Sequence, residues 1–388
     1  AHSHLELTAL RGFLEGLDFR DWLRILTEAR RTVLDADALM DSATIGIHEG
    51  LLAGITTFAD CTESGVPIAA MRKAGVRGIG YIEVFGPDPA VRDASMLGLQ
   101  NAVNASRTND TALVQTGVSP HAPYTVSTPL FRSVASWANT EQLPLAIHVA
   151  EGIAEVLLIR DGAGPFADRL RARGIVVEAS GVSPVQLLAD TGILDTRALL
   201  IHGVHMDERD ARLAADHGAT IVHCPISNAK LGHGIAPLDL FIDAGIATGL
   251  GTDSVASNDR MDLLSEARQA SLFQGIRKAK PDALTASDAL GLATIGGARA
   301  LRLDAVVGSL EVGKQADVAV FPLDRIEALP GYDPEVSLVH ALAGVVSAQL
   351  VLVAGVERVR DGRIVDGDPE LAARIRLLGR RLESWRGR

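Results

Sequence analysis

Five side chains in this 388-residue sequence have the types and spacing that metal-assisted hydrolysis needs: His2, His4, His148, His202 and Asp253. The last three each end an apolar run, as in Leu145-Ala146-Ile147-His148, Leu200-Ile201-His202 and Leu250-Gly251-Thr252-Asp253. His2 and His4 sit two apart, and on a strand such residues point to the same side, so both imidazoles can reach one ion. Taken alone, the pair reads equally well as two surface histidines at a frayed terminus. Together with the strand-end residues, three imidazoles and a carboxylate with one position left open make a sensible shell for a catalytic divalent ion, zinc first, with iron or manganese as alternatives. Such an ion lowers the pKa of its water from about 15.7 to roughly 7. The protein must then add a base, an acid for the leaving side and a hydrogen-bond partner for the attacking oxygen.

These residues are placed by an alternation of strands and helices. The pattern reads strand Gly54–Asp60, helix Val66–Lys73, strand Gly78–Phe85, helix Ala90–Ala105 and strand Ala112–Val118. Helix Pro129–Thr140 leads to strand Leu145–Val149, and helical sequence over Ala154–Arg173 and Val185–Thr191 precedes strand Ala198–His202. Helix Glu208–His217, strand Thr220–His223, helix Leu238–Ala244 and strand Ala247–Thr252 complete the series. With the opening His-x-His strand this makes eight β/α units, which predicts an α/β fold, a closed (β/α)8 TIM barrel with its chemistry at the C-terminal rim. From Gly308 the texture becomes turn-rich with short strands, and a helical tail follows over Pro369–Arg386. The expected division is a hydrolase barrel over 1–305, a small β-sandwich-like unit over 306–368, and a C-terminal helix over 369–388.

Composition narrows the function. Hydrophobic residues make up 47% of the chain and mean hydropathy is +0.19, as buried parallel strands require. A formal net charge of -11 without a basic cluster argues against nucleic-acid binding. Two cysteines, Cys61 and Cys224, cannot make a disulfide framework and fit a reducing, cytoplasmic setting. No apolar run approaches a membrane span. The sequence opens on Ala1-His2 rather than Met, directly on a functional motif, so residues are expected upstream.

Several motifs occur in order: His2-x-His4, Ser119-Pro-His121-Ala-Pro-Tyr124, His148-Val-Ala-Glu151, Ile201-His202-Gly-Val-His205, His223-Cys-Pro-Ile-Ser-Asn228, Gly251-Thr-Asp253-Ser254 and Gly308-Ser-Leu-Glu-Val-Gly-Lys-Gln-Ala-Asp317. Together they resemble the amidohydrolase superfamily, in its cytosine-deaminase-like and S-adenosylhomocysteine deaminase–chlorohydrolase branch. The resemblance implies that His2, His4, His148 and Asp253 hold one metal ion. It also implies that Asp253 takes the proton from the attacking water, His202 orients that water, and Glu151 carries a proton to the ring nitrogen beside the attacked carbon. His121 corresponds to a substrate contact, with Glu63 and His223 as further substrate candidates. By the same resemblance the β unit lacks partner strands that lie before residue 1, and a homodimer is the family-level expectation. Two-metal members bridge their ions with a lysine at the end of the fourth strand. The lysines here, Lys73, Lys230, Lys278, Lys280 and Lys314, all lie elsewhere, which favours one ion.

The implied reaction is hydrolytic deamination of an adenine-type nucleoside derivative. The wording around His121 and Glu151, with Asp161-Gly-Ala-Gly-Pro165-Phe166, is most similar to aminodeoxyfutalosine deaminases of menaquinone synthesis; S-adenosylhomocysteine or methylthioadenosine deaminases come next. Dechlorination or deamination of a triazine-like ring, or hydrolysis of a cyclic amide, is the alternative chemistry. A barrel that binds metal without catalysis is the remote one. His48, His217, His233 and His340 read as surface or packing residues, and both cysteines as small core residues.

Overall fold

The computed structural model describes residues 1–387, so Arg388, the end of the expected tail, lies outside the described residues. Seven parallel strands carry the barrel: β1 (Thr57–Thr62), β2 (Arg77–Val84), β3 (Val114–Pro120), β4 (Ala146–Val149), β5 (Leu199–His202), β6 (Thr220–His223) and β7 (Thr248–Leu250). The eighth is the opening segment. Ser3 bridges in parallel to Asp60 on one side and Asp253 on the other, and Val118 bridges to Leu145 between β3 and β4, closing the ring. Ser3 N donates to Ala59 O at 2.9 Å, Cys61 N to Ser3 O at 3.0 Å and Thr252 N to His2 O at 3.1 Å. The (β/α)8 barrel is therefore present. Its strands are buried on both faces, as helices outside and packed side chains inside demand.

The helices begin where side chains can serve the orphan N–H groups. Asp18 caps helix Phe19–Val33 by accepting from Asp21 N, and Asp35 caps helix Ala36–Leu52 by accepting from Ala38 N. One expected helix is broken. The stretch Ala154–Arg173 forms helices Ile153–Asp161 and Pro165–Ala172, because Gly162 (φ 61°) and Gly164 (φ 85°) turn left-handed before a proline starts the second helix. The stretch Thr285–Ala300 passes through a π turn at Leu292–Gly296. There a Cβ on Gly296 would come within 2.6 Å of Thr248 O, so glycine lets this helix lie directly on β7.

The C-terminal texture becomes an antiparallel sheet in the order β11-β10-β9-β8, with β8 at Val318–Val320, β9 at Leu350–Val353, β10 at Val356–Arg360 and β11 at Arg363–Ile364. Both hairpins turn on two residues with positive φ, Ala354-Gly355 and Asp361-Gly362, whose twist suits the strands they join. A buried, two-pronged ion pair from Arg77 at the start of β2 to Asp317 (2.8 and 3.1 Å) fastens this sheet to the barrel. Helix Leu371–Arg386 packs Leu378 and Leu382 with Leu10, Leu14 and Trp22. No described helix is long and apolar enough to cross a membrane.

Candidate active site

The opening segment places His2 and His4 on one side because Ser3 is pinned on the other. Ser3 Oγ donates to Asp60 Oδ1 at 2.9 Å, and Leu5 N donates to the same oxygen at 2.6 Å. His2 Nε2 then lies 3.2 Å from Asp253 Oδ1, His4 Nε2 lies 3.6 Å from that oxygen, and His4 Nε2 lies 3.3 Å from His148 Nε2. A tetrahedral ion with ligands at about 2.0–2.1 Å sets its donor atoms roughly 3.3 Å apart, close to these three separations; the donor atoms of His2, His4 and His148 all lie within 4.8 Å of one another, as do those of His2, His202 and Asp253. The second nitrogen of His148, Nδ1, lies 2.9 Å from the carbonyl oxygen of His121, which turns Nε2 toward the cluster.

Protonation fits the same use. Burial, joined by the neighbouring imidazoles of His4 and His202, pushes His148 down to about 4. Burial also drives His2 well below the usual histidine range and lowers His4. Burial alone would raise Asp253, but the His2 contact and the facing histidines outweigh it and hold the carboxylate well below its ordinary value. Neutral imidazoles and an ionised carboxylate are the ligating forms.

Backbone strain is concentrated here. Ala150 (φ 50°), His202 (φ 75°) and Asp253 (φ 56°) are non-glycine residues in the left-handed region, each just past or at a strand end. Such conformations persist only where the surroundings over-determine them. At Ala150 the turn aims two successive N–H groups, of Ala150 and Glu151, at the Glu155 carboxylate, 2.8 and 3.1 Å away. Burial pushes Glu155 up to about 8 against the two bonds that favour its ionised form. At Asp253 the turn leaves Oδ2 to accept from Ser227 Oγ at 2.5 Å and Ser257 Oγ at 3.0 Å, while Oδ1 faces the imidazoles.

Glu151, 6% exposed, is set by these contacts beside the cluster. Its Oε1 is 3.7 Å from His202 Nε2 and 3.3 Å from His233 Nε2. Burial works to raise it, but His202 and His233 prevail and hold it at about 2. His202 Nδ1 lies 2.9 Å from Asn228 Oδ1, an acceptor, so Nδ1 carries a hydrogen and Nε2 is the nitrogen turned toward Glu151.

The cluster opens into a cavity of about 410 Å³ lined by His4, His121, His148, Glu151, His202 and Asp253 at its base, and by aromatic residues toward solvent. Tyr124 and Phe166 stack with centroids 4.5 Å apart, and Phe166 meets Phe19 edge-on at 6.2 Å. A larger cavity of about 460 Å³ lies near the start of β1 beside the C-terminal sheet, but its one carboxylate, Asp317, is held by Arg77, and no histidine lines it. The chemistry belongs to the first.

The structure brings His2, His4, His148, Glu151, His202 and Asp253 together and puts His121 on the cavity wall. Glu63 reaches the rim, 43% exposed and tied to Arg30 at 2.7 Å. His223 is wholly buried at the end of β6 and is not among the residues lining the cavity. His233, read from sequence as surface or packing, instead stands against Glu151, its ring edge-on to Phe19 at 4.6 Å. Glu155, Ser227, Ser257 and Asn228 also escaped sequence reasoning as individual positions. The only signal was that Ser227 and Asn228 fall inside the motif that begins at His223.

Comparison with known proteins agrees with this geometry. The model of the Amidohydrolase family matches residues 1–358. A 5-methylthioadenosine/S-adenosylhomocysteine deaminase of Thermococcus kodakarensis is 33% identical over 347 residues, 88% of this chain and 77% of the relative. The crystal structure of an adenosine deaminase from Xanthomonas campestris with bound zinc superposes with a TM-score of 0.87 at 29% identity, covering 99% of this chain and 84% of the other. That of an atrazine chlorohydrolase from Arthrobacter aurescens complexed with zinc gives 0.84 at 26% identity, covering 97% and 86%. Its barrel, its strand-end histidines and a match over nearly its whole length make this chain a member of the amidohydrolase family, a hydrolase acting on carbon–nitrogen bonds.

Proposed function

We propose that the protein is a metal-dependent deaminase that replaces the amino group of an adenine-type nucleoside derivative with oxygen and releases ammonia. The observation that carries this reading is Glu151, buried beside the His2, His4, His148 and Asp253 cluster and open to the cavity. His2, His4, His148 and Asp253 would hold the ion. A divalent cation there supplies the Lewis acidity that makes water nucleophilic near neutral pH. His202, its ring held by Asn228, orients the attacking oxygen through Nε2. Asp253 accepts a proton from that water. Glu151, ionised at rest, first takes up one of the water's two protons and delivers it to the ring nitrogen next to the attacked carbon, while the other passes through Asp253 to the amino group, which leaves as ammonia. The barrel, residues 1–305, is the catalytic unit in this reading, with the small β unit 306–368 and the C-terminal helix Leu371–Arg386 packed on it.

Arg31, Arg169 and Arg173 line the cavity mouth and have no carboxylate partner among the described residues. They support a substrate whose arm beyond the sugar ends in a carboxylate. Aminodeoxyfutalosine and S-adenosylhomocysteine both have one; methylthioadenosine does not. The names of the curated relatives support the latter two compounds. Steady-state kinetics on all three, with atrazine as the competing leaving-group chemistry, separates them. The carboxylate-bearing nucleosides should show the highest kcat/KM. Faster turnover of methylthioadenosine would remove the arginine argument, and turnover of atrazine alone would replace deamination by dechlorination.

A further inference from the structure

Glu83, near the end of β2, is a cavity-lining carboxylate that the proposed reaction leaves unused. Its side chain is 6% exposed, and Oε1 finds no hydrogen-bond donor among the described residues. His121 Nε2 lies 4.0 Å from this oxygen, too far for a hydrogen bond. His121 is held from its other side, Nδ1 lying 2.8 Å from Thr125 Oγ1. Glu83 and His121 thus face each other on the cavity wall, and Glu83 Oε1 has no partner among the described residues, an arrangement that costs free energy until one arrives.

A second metal ion does not explain the pair. Donor atoms of Cys61, Glu83 and His148 do lie within 4.8 Å of one another. However, His148 Nε2 already faces His4 at 3.3 Å and Nδ1 is turned to the His121 carbonyl, so no His148 nitrogen is left for another ion. Nor does Glu63 do this work, since Arg30 holds it at the rim.

We infer that Glu83 and His121 together form a clasp for the vicinal hydroxyls of the substrate's sugar, each hydrogen-bonding one hydroxyl, and that Glu83 thereby sets preference for a ribonucleoside over its deoxy analogue. This rests on the nucleoside-deaminase reading and deepens it. Polar atoms 4.0 Å apart suit two neighbouring hydroxyls, each bonding at about 2.7–2.8 Å. An analogue lacking one hydroxyl leaves a buried acceptor unpaired, which is how a polar site rejects a smaller substrate.

The test compares kcat/KM for adenosine and 2′-deoxyadenosine in the zinc-loaded wild type, Glu83→Leu and Glu83→Gln, with zinc per chain measured in each. The wild type should favour the ribonucleoside by roughly 10- to 100-fold. Glu83→Leu should bring the two substrates within about threefold, chiefly by losing the ribonucleoside's advantage in KM, and keep its zinc. Glu83→Gln, which retains one acceptor, should fall between and guards against a misfolded Leu variant. A preference unchanged by both substitutions overturns the inference while leaving the deaminase reading intact. Loss of zinc with Glu83→Gln overturns it by making Glu83 a ligand. A wild type that releases no ammonia from any adenine nucleoside sinks the deaminase reading and the clasp with it.

Discussion

Asp253 has one oxygen for the imidazole cluster and one for the protein, and the second can be taken away without touching the first. Ser227 and Ser257, both wholly buried, donate to Oδ2 at 2.5 and 3.0 Å. A hydrogen bond to an ionised group contributes about 1.5–3 kcal/mol, and each 1.4 kcal/mol is about tenfold, so Ser227→Ala should weaken zinc binding or turnover roughly 10- to 100-fold. Removing partners that support metal ligands usually costs about that much. Ser257→Ala should fall at the lower end, because the Ser257 hydrogen has a rival acceptor in Ser254 O at 3.0 Å. In each single variant the other serine still serves the oxygen. The double variant strips it, so its loss should exceed the product of the two. Zinc affinity by chelator competition and kcat/KM for ammonia release read the effect, with thermal midpoints as the folding control. Single and double variants that fold normally and stay within threefold of the parent in both assays would refute the argument that the serines hold Asp253 in its role.

Glu151→Gln should keep its zinc and lose about 10²–10⁴ in kcat; wild-type turnover would remove the proton-shuttle role. Stripping the ion with a chelator should abolish activity and lower the thermal midpoint, both restored by zinc, since a ligand bound only by the folded chain at about 1,000 times its Kd adds about 4 kcal/mol. Glu266 is wholly buried, accepts from Ile226 N at 3.1 Å and from the Asn258 side chain, and is pushed up by burial to about 8. A carboxyl whose folded pKa exceeds the ordinary 4.5 stabilises the fold fully below that value and loses the contribution as pH rises towards 8. Wild type should therefore melt at progressively lower temperature between pH 5 and 8, and Glu266→Gln, neutral throughout, should flatten that slope; equal slopes would show that Glu266 does not titrate there.

The metal-site candidates were legible because each strand-end residue terminates a run whose hydrophobicity already fixes it at the barrel rim. His202 and Asp253 needed no knowledge of their positive φ to be found, only of where Leu200-Ile201 and Leu250 stop. What supports them was not legible. Glu155 matters because Ala150 turns left-handed and exposes two N–H groups, a conformation no residue type at 150 announces. His233 meets Glu151 and Phe19 only after a loop with Gly232 and Gly234 folds back across the barrel mouth. Glu83 reads as one more polar residue near a strand end until His121, just past the end of β3, is seen facing it. The same holds for the helix expected over Ala154–Arg173, where periodicity carried straight through Gly162 and Gly164 and hid the break that brings Phe166 onto Tyr124.

Ammonia release by the zinc-loaded protein from aminodeoxyfutalosine, S-adenosylhomocysteine, methylthioadenosine and adenosine tests the central claim most directly. Stoichiometric ammonia and the matching 6-oxo nucleoside from at least one of these, lost with Glu151→Gln, is the predicted result. Protein with one zinc per chain that leaves all four untouched, yet liberates chloride from a chlorotriazine, would contradict it.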